Sequence, residues 1–258
     1  MCVRCRTPAP GFATFTASPV TGTLGAVEDF RQRQKERAAD EAVGLVQSGM
    51  IVGMGAGTTA AVVAIKLAER LRQGDLRDVV CVPCSGVVAQ KLRQLGLPAV
   101  PLSERPQIDL TIDGADEVDP HLDLIKGAGG ALLREKMVAQ ASKREIIVVD
   151  EHKLSPRLGT QTLLPVEVIP FGWRAEEQFL QGQGAAPMLR LQNGKPFISD
   201  EGNYILDCAI GPIEDAAALA HTLERRAGIV AHGLFLGLAS EVIVGGLNGV
   251  RHLRPWRV

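Results

Sequence analysis

At 258 residues, with 46% apolar and 22% charged residues and a formal net charge of −1, the chain is long enough for one large domain or two modest ones. It carries no global field that would recruit nucleic acid or an anionic membrane. Its apolar runs fall short of the roughly 18 to 20 residues that a spanning helix requires, so no transmembrane segment is expected and partners must be read from sites.

The first 27 residues contain no acidic residue and two arginines. Such acid-poor, hydroxyl-rich composition fits a transit segment, but the few arginines and the missing apolar stripe fit a disordered extension over residues 1–28, or a start codon assigned too early, better. Order is expected from "EDFRQRQKERAADEAVGLVQ", where Phe30, Ala38, Ala42, Leu45 and Val46 recur at helical spacing, ending at Ser48-Gly49. Next, "MIVGMGAGTTAAVVAIKLAERLRQG" reads as strand, glycine loop and a helix stopped by Gly74. The alternation continues through "DVVCVPCS", "GVVAQKLRQLG", "IDLTIDGAD", "ALLREKMVAQAS" and "REIIVVDEHK". Apolar strands separated by helices of about 10 to 15 residues predict a doubly wound, mainly parallel α/β sheet.

After "LPVEVIP" the rhythm becomes strand "VEVIP", helix "RAEEQFLQGQ", strand "PMLRLQ", turn region "NGKPFISDEGN", strand "YILDCAI", helix "IEDAAALAHTLERRA" and strand "GIVAHGLF". That order is the split βαβ, ferredoxin-like α+β unit. The expected division is an α/β domain over residues 29–160 and 238–258, with a small domain inserted at 161–237, placed where a lid or an oligomer contact can form.

Several strand ends carry chemistry. "GMGAGTTA", residues 53–60, joins a strand to a helix, and glycines, free N–H groups and threonine hydroxyls there favour an anion. A dinucleotide fingerprint would want a third glycine where Thr58 stands and a carboxylate ending the next strand, and a P-loop would want a lysine after the glycines. A single phosphate ester remains, beside the bland reading of a turn that only packs helix on strand. "IDLTIDGAD" delivers Asp113 and Asp116 to the carboxyl end of a strand, where ligands of parallel sheets gather, with Gly114 and Ala115 keeping the turn small. Glu117 and Asp119 read as solvated turn residues before Pro120. In "LIKGAGGALLREK", Lys126 ends a strand, Gly127, Gly129 and Gly130 make a loop, and Arg134, Glu135 and Lys136 follow in a helix. Glu135 suits a general base with Lys126 as electrophile, although "REK" alone is more often a solvated face. "VVDEHK" brings Asp150, His152 and Lys153 to another strand end, where a cation can complete a phosphate site and the histidine reads as a surface residue. No histidine cluster suggests a transition metal; magnesium on Asp113 and Asp116 stays open beside a hydroxylated substrate.

Five cysteines at positions 2, 5, 81, 84 and 208 form two CxxC pairs. Their separation is far beyond the roughly 15 to 20 residues of paired zinc knuckles, so reduced, partly buried thiols of a cytosolic protein are expected.

Taken together, "GMGAGTTA", "DGADEVDP", "KGAGGALLREK", "VVDEHK" and "LPVEVIP", in this order and spacing, resemble the A-type ribose-5-phosphate isomerase family from about residue 29 to the C-terminus. The resemblance implies interconversion of D-ribose 5-phosphate and D-ribulose 5-phosphate in the pentose phosphate pathway, a cytoplasmic setting, no metal and no organic cofactor. It implies Glu135 as the proton acceptor, and substrate loops at Ala56, Gly57, Thr58 and Thr59, at Asp113, Gly114, Ala115 and Asp116, and at Lys126, Gly127, Ala128 and Gly129. Lys153 is implied as a further contact, and Lys35 as a helix lysine near the phosphate. The family loop commonly reads Gly-Thr-Gly-Ser-Thr, so Ala56 departs from it and loses one hydroxyl donor, which is expected to weaken phosphate affinity at most. Homodimers or homotetramers are common among such proteins, and no nucleic acid or membrane partner is expected. An amino-sugar-phosphate deaminase and a sugar-phosphate-sensing regulator on a similar fold are the alternatives.

Overall fold

The computed structural model describes residues 24–255, with side chains from residue 32 onward; residues 1–23, with Cys2 and Cys5, and the side chain of Phe30 lie outside the described residues. Helix α1 (Leu24–Gly44) starts ahead of Glu28 and is followed by β1 (Ile51–Met54), α2 (Gly57–Gln73), β2 (Val80–Pro83), α3 (Gly86–Gln94) and β3 (Leu110–Asp113). Then come β4 (Glu117–Val118), β5 (Leu124–Ile125), α4 (Leu132–Gln140) and β6 (Glu145–Asp150). The chain goes on through β7 (Leu164–Val168), α5 (Trp173–Gly182), β8 (Ala186–Leu189), β9 (Leu191–Gln192), β10 (Lys195–Pro196) and β11 (Tyr204–Ala209). It closes with α6 (Ala216–Glu224), β12 (Ile229–His232), β13 (Leu234–Phe235), β14 (Glu241–Gly246) and β15 (Gly249–Leu253).

The main sheet has the order β15-β14-β6-β3-β1-β2, parallel except for the β14–β15 edge. Every residue of β3, β6 and β14 is buried, as a sheet covered on both faces demands. Ile146 and Val148 join α1 and α2 in one core, whereas Ile147 and Val149 pack with Ala139 of α4 on the other face. Gly74 ends α2 in the left-handed region at φ 82°, which costs glycine no Cβ clash. The order around β1 reverses direction: β2 lies on one side and β3 on the other, and such a switch point opens a crevice at the carboxyl ends of the strands.

A second sheet, β12-β7-β11-β8, is wholly antiparallel, the ferredoxin-like arrangement. Its core joins Leu180 of α5 and Ala220 and Leu223 of α6 to Val166, Leu206 and Cys208. Helix α4 lies between the two sheets: Val138 and Ala139 face the first, and Leu132 packs on Ile205 and Ala231 of the second. Glu135 therefore rides on a helix wedged from both sides.

Three local readings are corrected. "PMLRLQ" is not one strand, because β9 and β10 form a separate hairpin around Asn193 and Gly194, with φ 53° and 75°, the primed two-residue turn that an Asn-Gly pair favours. "GIVAHGLF" breaks at Gly233, where a Cβ would lie 2.4 Å from the Lys126 carbonyl oxygen; β13 leaves to pair with β5, which pairs with β4. Glu117 is not a solvated turn residue. It is buried and accepts from the N–H groups of Gly159, Thr160, Gln161 and Thr162 at 3.0–3.2 Å. Asp119 does serve a turn, accepting from the N–H groups of His121 and Asp123.

Because a buried carboxylate is tolerable only when its lone pairs are met, the four amides both require and fix Glu117. Replacing Glu117 with Ala breaks four part-buried hydrogen bonds at once, and the expected loss is about 2–4 kcal/mol of stability. Denaturant unfolding measures it, and a loss below about 0.5 kcal/mol would show that water replaces the carboxylate at no cost.

Candidate active site

The crevice at the switch point is lined by three loops and their neighbours. The first is the β1–α2 turn. Gly57 sits at φ 87°, and Ala56, at the helix N-cap, supplies no side-chain acceptor, so the first N–H groups of α2 stay open to an anion. Thr58 and Thr59 line the same end, and Lys35 Nζ donates to Thr58 Oγ1 at 3.2 Å. Lys35 reaches this point because α1 lies directly on β14: a Cβ on Gly245 would stand 2.2 Å from the Gln34 carbonyl oxygen.

The second loop follows β3. Asp113 is buried and lies behind the lining; one carboxylate oxygen accepts from the Gly114 N–H at 2.7 Å and the other pairs with Lys126 Nζ at 2.9 Å. Gly114, Ala115 and Asp116 line the crevice. Asp116 holds the third loop, accepting from the Ala128 N–H at 2.9 Å. Asp113 and Asp116 thus point to different partners, and among the described residues no group of three or more His, Cys, Asp or Glu is disposed to hold a metal ion.

Lys126 directly follows β5, and its own N–H donates to the Gly233 carbonyl at 2.9 Å. Its ammonium donates to the Gly114 carbonyl at 2.6 Å and lies 3.3 Å from Glu135 Oε2. Glu135 is buried in the first turn of α4, and that oxygen has no hydrogen-bond donor among the described residues. Its neighbours in sequence turn away: Arg134 binds Asp200 and Glu201, and Lys136 donates to the His232 carbonyl at 2.7 Å. Gly127 and Gly129 line the crevice, while Ala128 faces an adjoining hollow that shares Asp116 and Lys153. Lys153 lines both, and His152 is exposed.

Burial raises the Glu135 carboxyl to about 7, against the lowering effect of Lys126 and with the help of Asp113. Burial likewise raises Asp113, opposed by Lys126. For Lys126, burial alone would lower the ammonium, but Asp113, Glu135 and Glu145 outweigh it and hold it above its ordinary value. One ammonium between two carboxyl groups, one of them poised near neutrality, is the arrangement from which acid–base catalysis draws.

Sequence reasoning left out Val149 and named Asp150 at its strand end without giving it a role, and both line the crevice. Asp150 was visible as a carboxylate ending β6, the same signal that picked out Asp113. The thiols of Cys81 and Cys208 are pushed up to about 12 by burial, and burial raises Cys84 too, so all three stay protonated and inert.

The close approach of Asp113 to β1 has a direct test. A Cβ on Gly55 would lie 1.9 Å from Asp113 Oδ1, so replacing Gly55 with Ala must displace Asp113 and with it Lys126. We expect turnover to fall about 10²-fold with a smaller change in the unfolding midpoint; steady-state kinetics with unchanged turnover would show that the Asp113–Lys126 pair is not needed in this position.

The fold and this grouping define an α/β enzyme built for proton transfer on a small anionic substrate. A sequence model of ribose 5-phosphate isomerase A (phosphoriboisomerase A) matches residues 80–249. The chain is 57% identical over 86% of its length to a ribose-5-phosphate isomerase A of Chloroflexus aurantiacus, 93% of which is covered. It is 50% identical over 85% of its length to that of Desulfatibacillum aliphaticivorans, 96% of which is covered. The solved ribose 5-phosphate isomerase A of Methanocaldococcus jannaschii superposes with a TM-score of 0.83 at 36% identity, covering 87% of this chain and 99% of that one. A D-ribose-5-phosphate isomerase solved in complex with phospho-erythronic acid gives 0.85 at 36% identity, covering 86% and 98%. The chain belongs to the ribose 5-phosphate isomerase A family. It is an aldose–ketose isomerase of the pentose phosphate pathway.

Proposed function

We propose that Glu135 is the base that carries a proton between C2 and C1 of the sugar phosphate, through a cis-enediolate. What supports this reading most is the buried Glu135 oxygen that has no hydrogen-bond donor among the described residues and stands 3.3 Å from Lys126 Nζ in the crevice. Asp113 assists ring opening by exchanging a proton at the ring oxygen or O1, relayed through Lys126. As the enediolate forms, negative charge grows on its oxygens, and the Lys126 ammonium with the loop N–H groups stabilises it. Asp116 anchors substrate hydroxyls. The phosphate docks on the open amides of α2 with Thr58, Thr59, Lys35 and Lys153, and this remote binding holds the reacting carbons against Glu135.

Proton transfer differs from a hydride shift in what solvent contributes. In D₂O, ribulose 5-phosphate formed from ribose 5-phosphate is expected to carry deuterium at C1, read by NMR. A product free of deuterium, together with normal turnover of a Glu135→Gln variant, would overturn the reading.

The loop departure at Ala56 predicts a small effect. Restoring a hydroxyl by Ala56→Thr adds a donor where backbone amides already serve, so KM is expected to fall by at most about 10-fold or stay unchanged. A large fall in kcat would mean that the loop does not hold the phosphate.

Residues 29–160 with 238–258 are proposed to form the catalytic unit and residues 161–237 the small one; the pairing of β14 with β6 supports this division. A homodimer or homotetramer is proposed, supported by the exposed apolar side chains Phe171, Met188, Leu191 and Ile198 on the small unit, and sedimentation equilibrium tests it. Among the described residues no helix is long and apolar enough to cross a membrane. A cytoplasmic setting is proposed, supported by the bacterial relatives; an Arabidopsis thaliana relative, 42% identical, is named chloroplastic.

A further inference from the structure

We infer that Arg190, supplied by the ferredoxin-like sheet, is a positioning residue for the isomerase reaction: it holds the Gly127 and Ala128 carbonyls away from the crevice and so aims the Gly129 N–H at the developing enediolate. The inference rests on the reading of Glu135 and Lys126 as the reacting end of the site.

Arg190 follows β8. One guanidinium nitrogen, Nη1, donates to the Gly127 carbonyl at 3.0 Å and to the Ala128 carbonyl at 3.1 Å. Nε donates to Asp207 Oδ2 at 2.8 Å, and Nη2 donates to Asp207 Oδ1. Asp207 lies on the neighbouring strand β11, and the two side chains are only 14% and 19% exposed. The ion pair is therefore shielded and bidentate, the geometry in which a guanidinium is held most firmly. Phe197 braces the arrangement: its ring centroid is 5.7 Å from the Arg190 guanidinium carbon, and its edge lies where a Gly130 Cβ would be, at 2.4 Å.

A cross-strand salt bridge alone would need only Asp207. The remaining edge of the guanidinium is instead turned onto a loop of the catalytic unit, and that loop contains three glycines in residues 127–130, with Gly127 and Gly130 at φ 109° and 82°. Such a loop has many conformers of similar energy, so its shape must be imposed by what it touches. In a trans peptide the N–H points opposite to the C=O. Anchoring the Gly127 carbonyl on Arg190 therefore sends the Ala128 N–H the other way, where it meets Asp116. Anchoring the Ala128 carbonyl sends the Gly129 N–H toward the crevice that Gly129 lines. The same contacts keep two carbonyl dipoles from facing an enediolate that they would repel.

The test uses the full-length enzyme with Arg190→Gln and Arg190→Lys. For Arg190→Gln we expect kcat to fall about 10- to 100-fold, the scale of a donor misplaced by about 1 Å, with KM changed less than about threefold. Arg190→Lys keeps a cation against Asp207 and one donor for the loop, so it is expected to recover part of the loss. Inhibition by inorganic phosphate, which engages only the far end, is expected to stay within about twofold of the parent. Inhibition by phospho-erythronic acid, which carries a carboxylate besides its phosphate, is expected to weaken in step with kcat/KM. Should the Gln variant fail to fold, a kcat deficit in the Lys variant at unchanged unfolding temperature carries the inference. A kcat within about twofold of the parent in both variants would overturn it, as would equal losses of phosphate and phospho-erythronic acid affinity, which mark a merely structural pair. Failure of the underlying reading shows separately, as near-normal turnover in Glu135→Gln.

Discussion

Replacing Glu135 with Gln is expected to lower kcat for ribose 5-phosphate by about 10²- to 10⁴-fold while KM changes little. The amide keeps the volume and the contact with Lys126 but cannot accept the substrate proton. Its neighbours cannot substitute: Arg134 and Lys136 face other parts of the protein, and Asp113 is occupied by Lys126 and the Gly114 N–H. The pH profile follows from the same environment. Burial raises Glu135 to about 7, and a base works only when deprotonated, so kcat/KM of the parent is expected to rise with pH and level off above about 7. The Gln variant should show no such limb in its residual activity. Turnover near that of the parent would remove Glu135 from the mechanism.

Lys126→Met is the second large effect, and it reaches both stability and rate. The ammonium is buried between Asp113 and Glu135 at 2.9 and 3.3 Å, and removing one partner of a buried ion pair leaves charge without compensation, typically at about 3–5 kcal/mol. The rate should fall about 10²- to 10³-fold with the lost electrophile. Lys126 lowers both carboxyl groups against the effect of burial, so without it both rise further. Their folded values then lie above their unfolded ones, and a group of that kind weakens the fold as pH climbs through the interval. The drop in unfolding midpoint is therefore expected to be larger at pH 8 than at pH 6, and the acidic limb of residual activity should move above about 7. Equal destabilisation at both pH values would mean that the carboxyl groups are not relieved by protonation and that Lys126 does not set their charge.

Legibility from sequence followed the range of the interactions concerned. The β1–α2 turn could be read because glycines and threonines at a strand-to-helix junction are a local signal, and the structure places Gly57, Thr58 and Thr59 on the crevice. The acidic stretch after β3 was read only in part. Asp113 and Asp116 were separated from Glu117 and Asp119, but Glu117 was assigned to solvent because its partners, the amides of residues 159–162, lie more than forty residues away. No periodicity reports such a contact. The single strand expected at "GIVAHGLF" failed for a similar reason, since Gly233 is fixed by the close approach of the Lys126 carbonyl.

What the sequence determined by itself was most of the succession of helices and strands, the parallel and ferredoxin-like groupings, and the glycine loops that end strands with charge. These depend on hydrophobic period, on backbone freedom at glycine and on residue order, all of which act over a few residues. What only the tertiary structure decided was where those charges meet. The sheet order set β1 beside β3 and brought the β1–α2 turn, at Gly55, against Asp113. Two sheets closing on α4 buried Glu135, and that burial raises its carboxyl to about 7. The segment that follows β8 of the second sheet supplied Arg190 to the Gly127–Gly130 loop. Desolvation and close charge pairing are properties of assembled neighbours, so a carboxylate that looks like one more member of an exposed helix in sequence becomes a base poised near neutrality once the layers are packed.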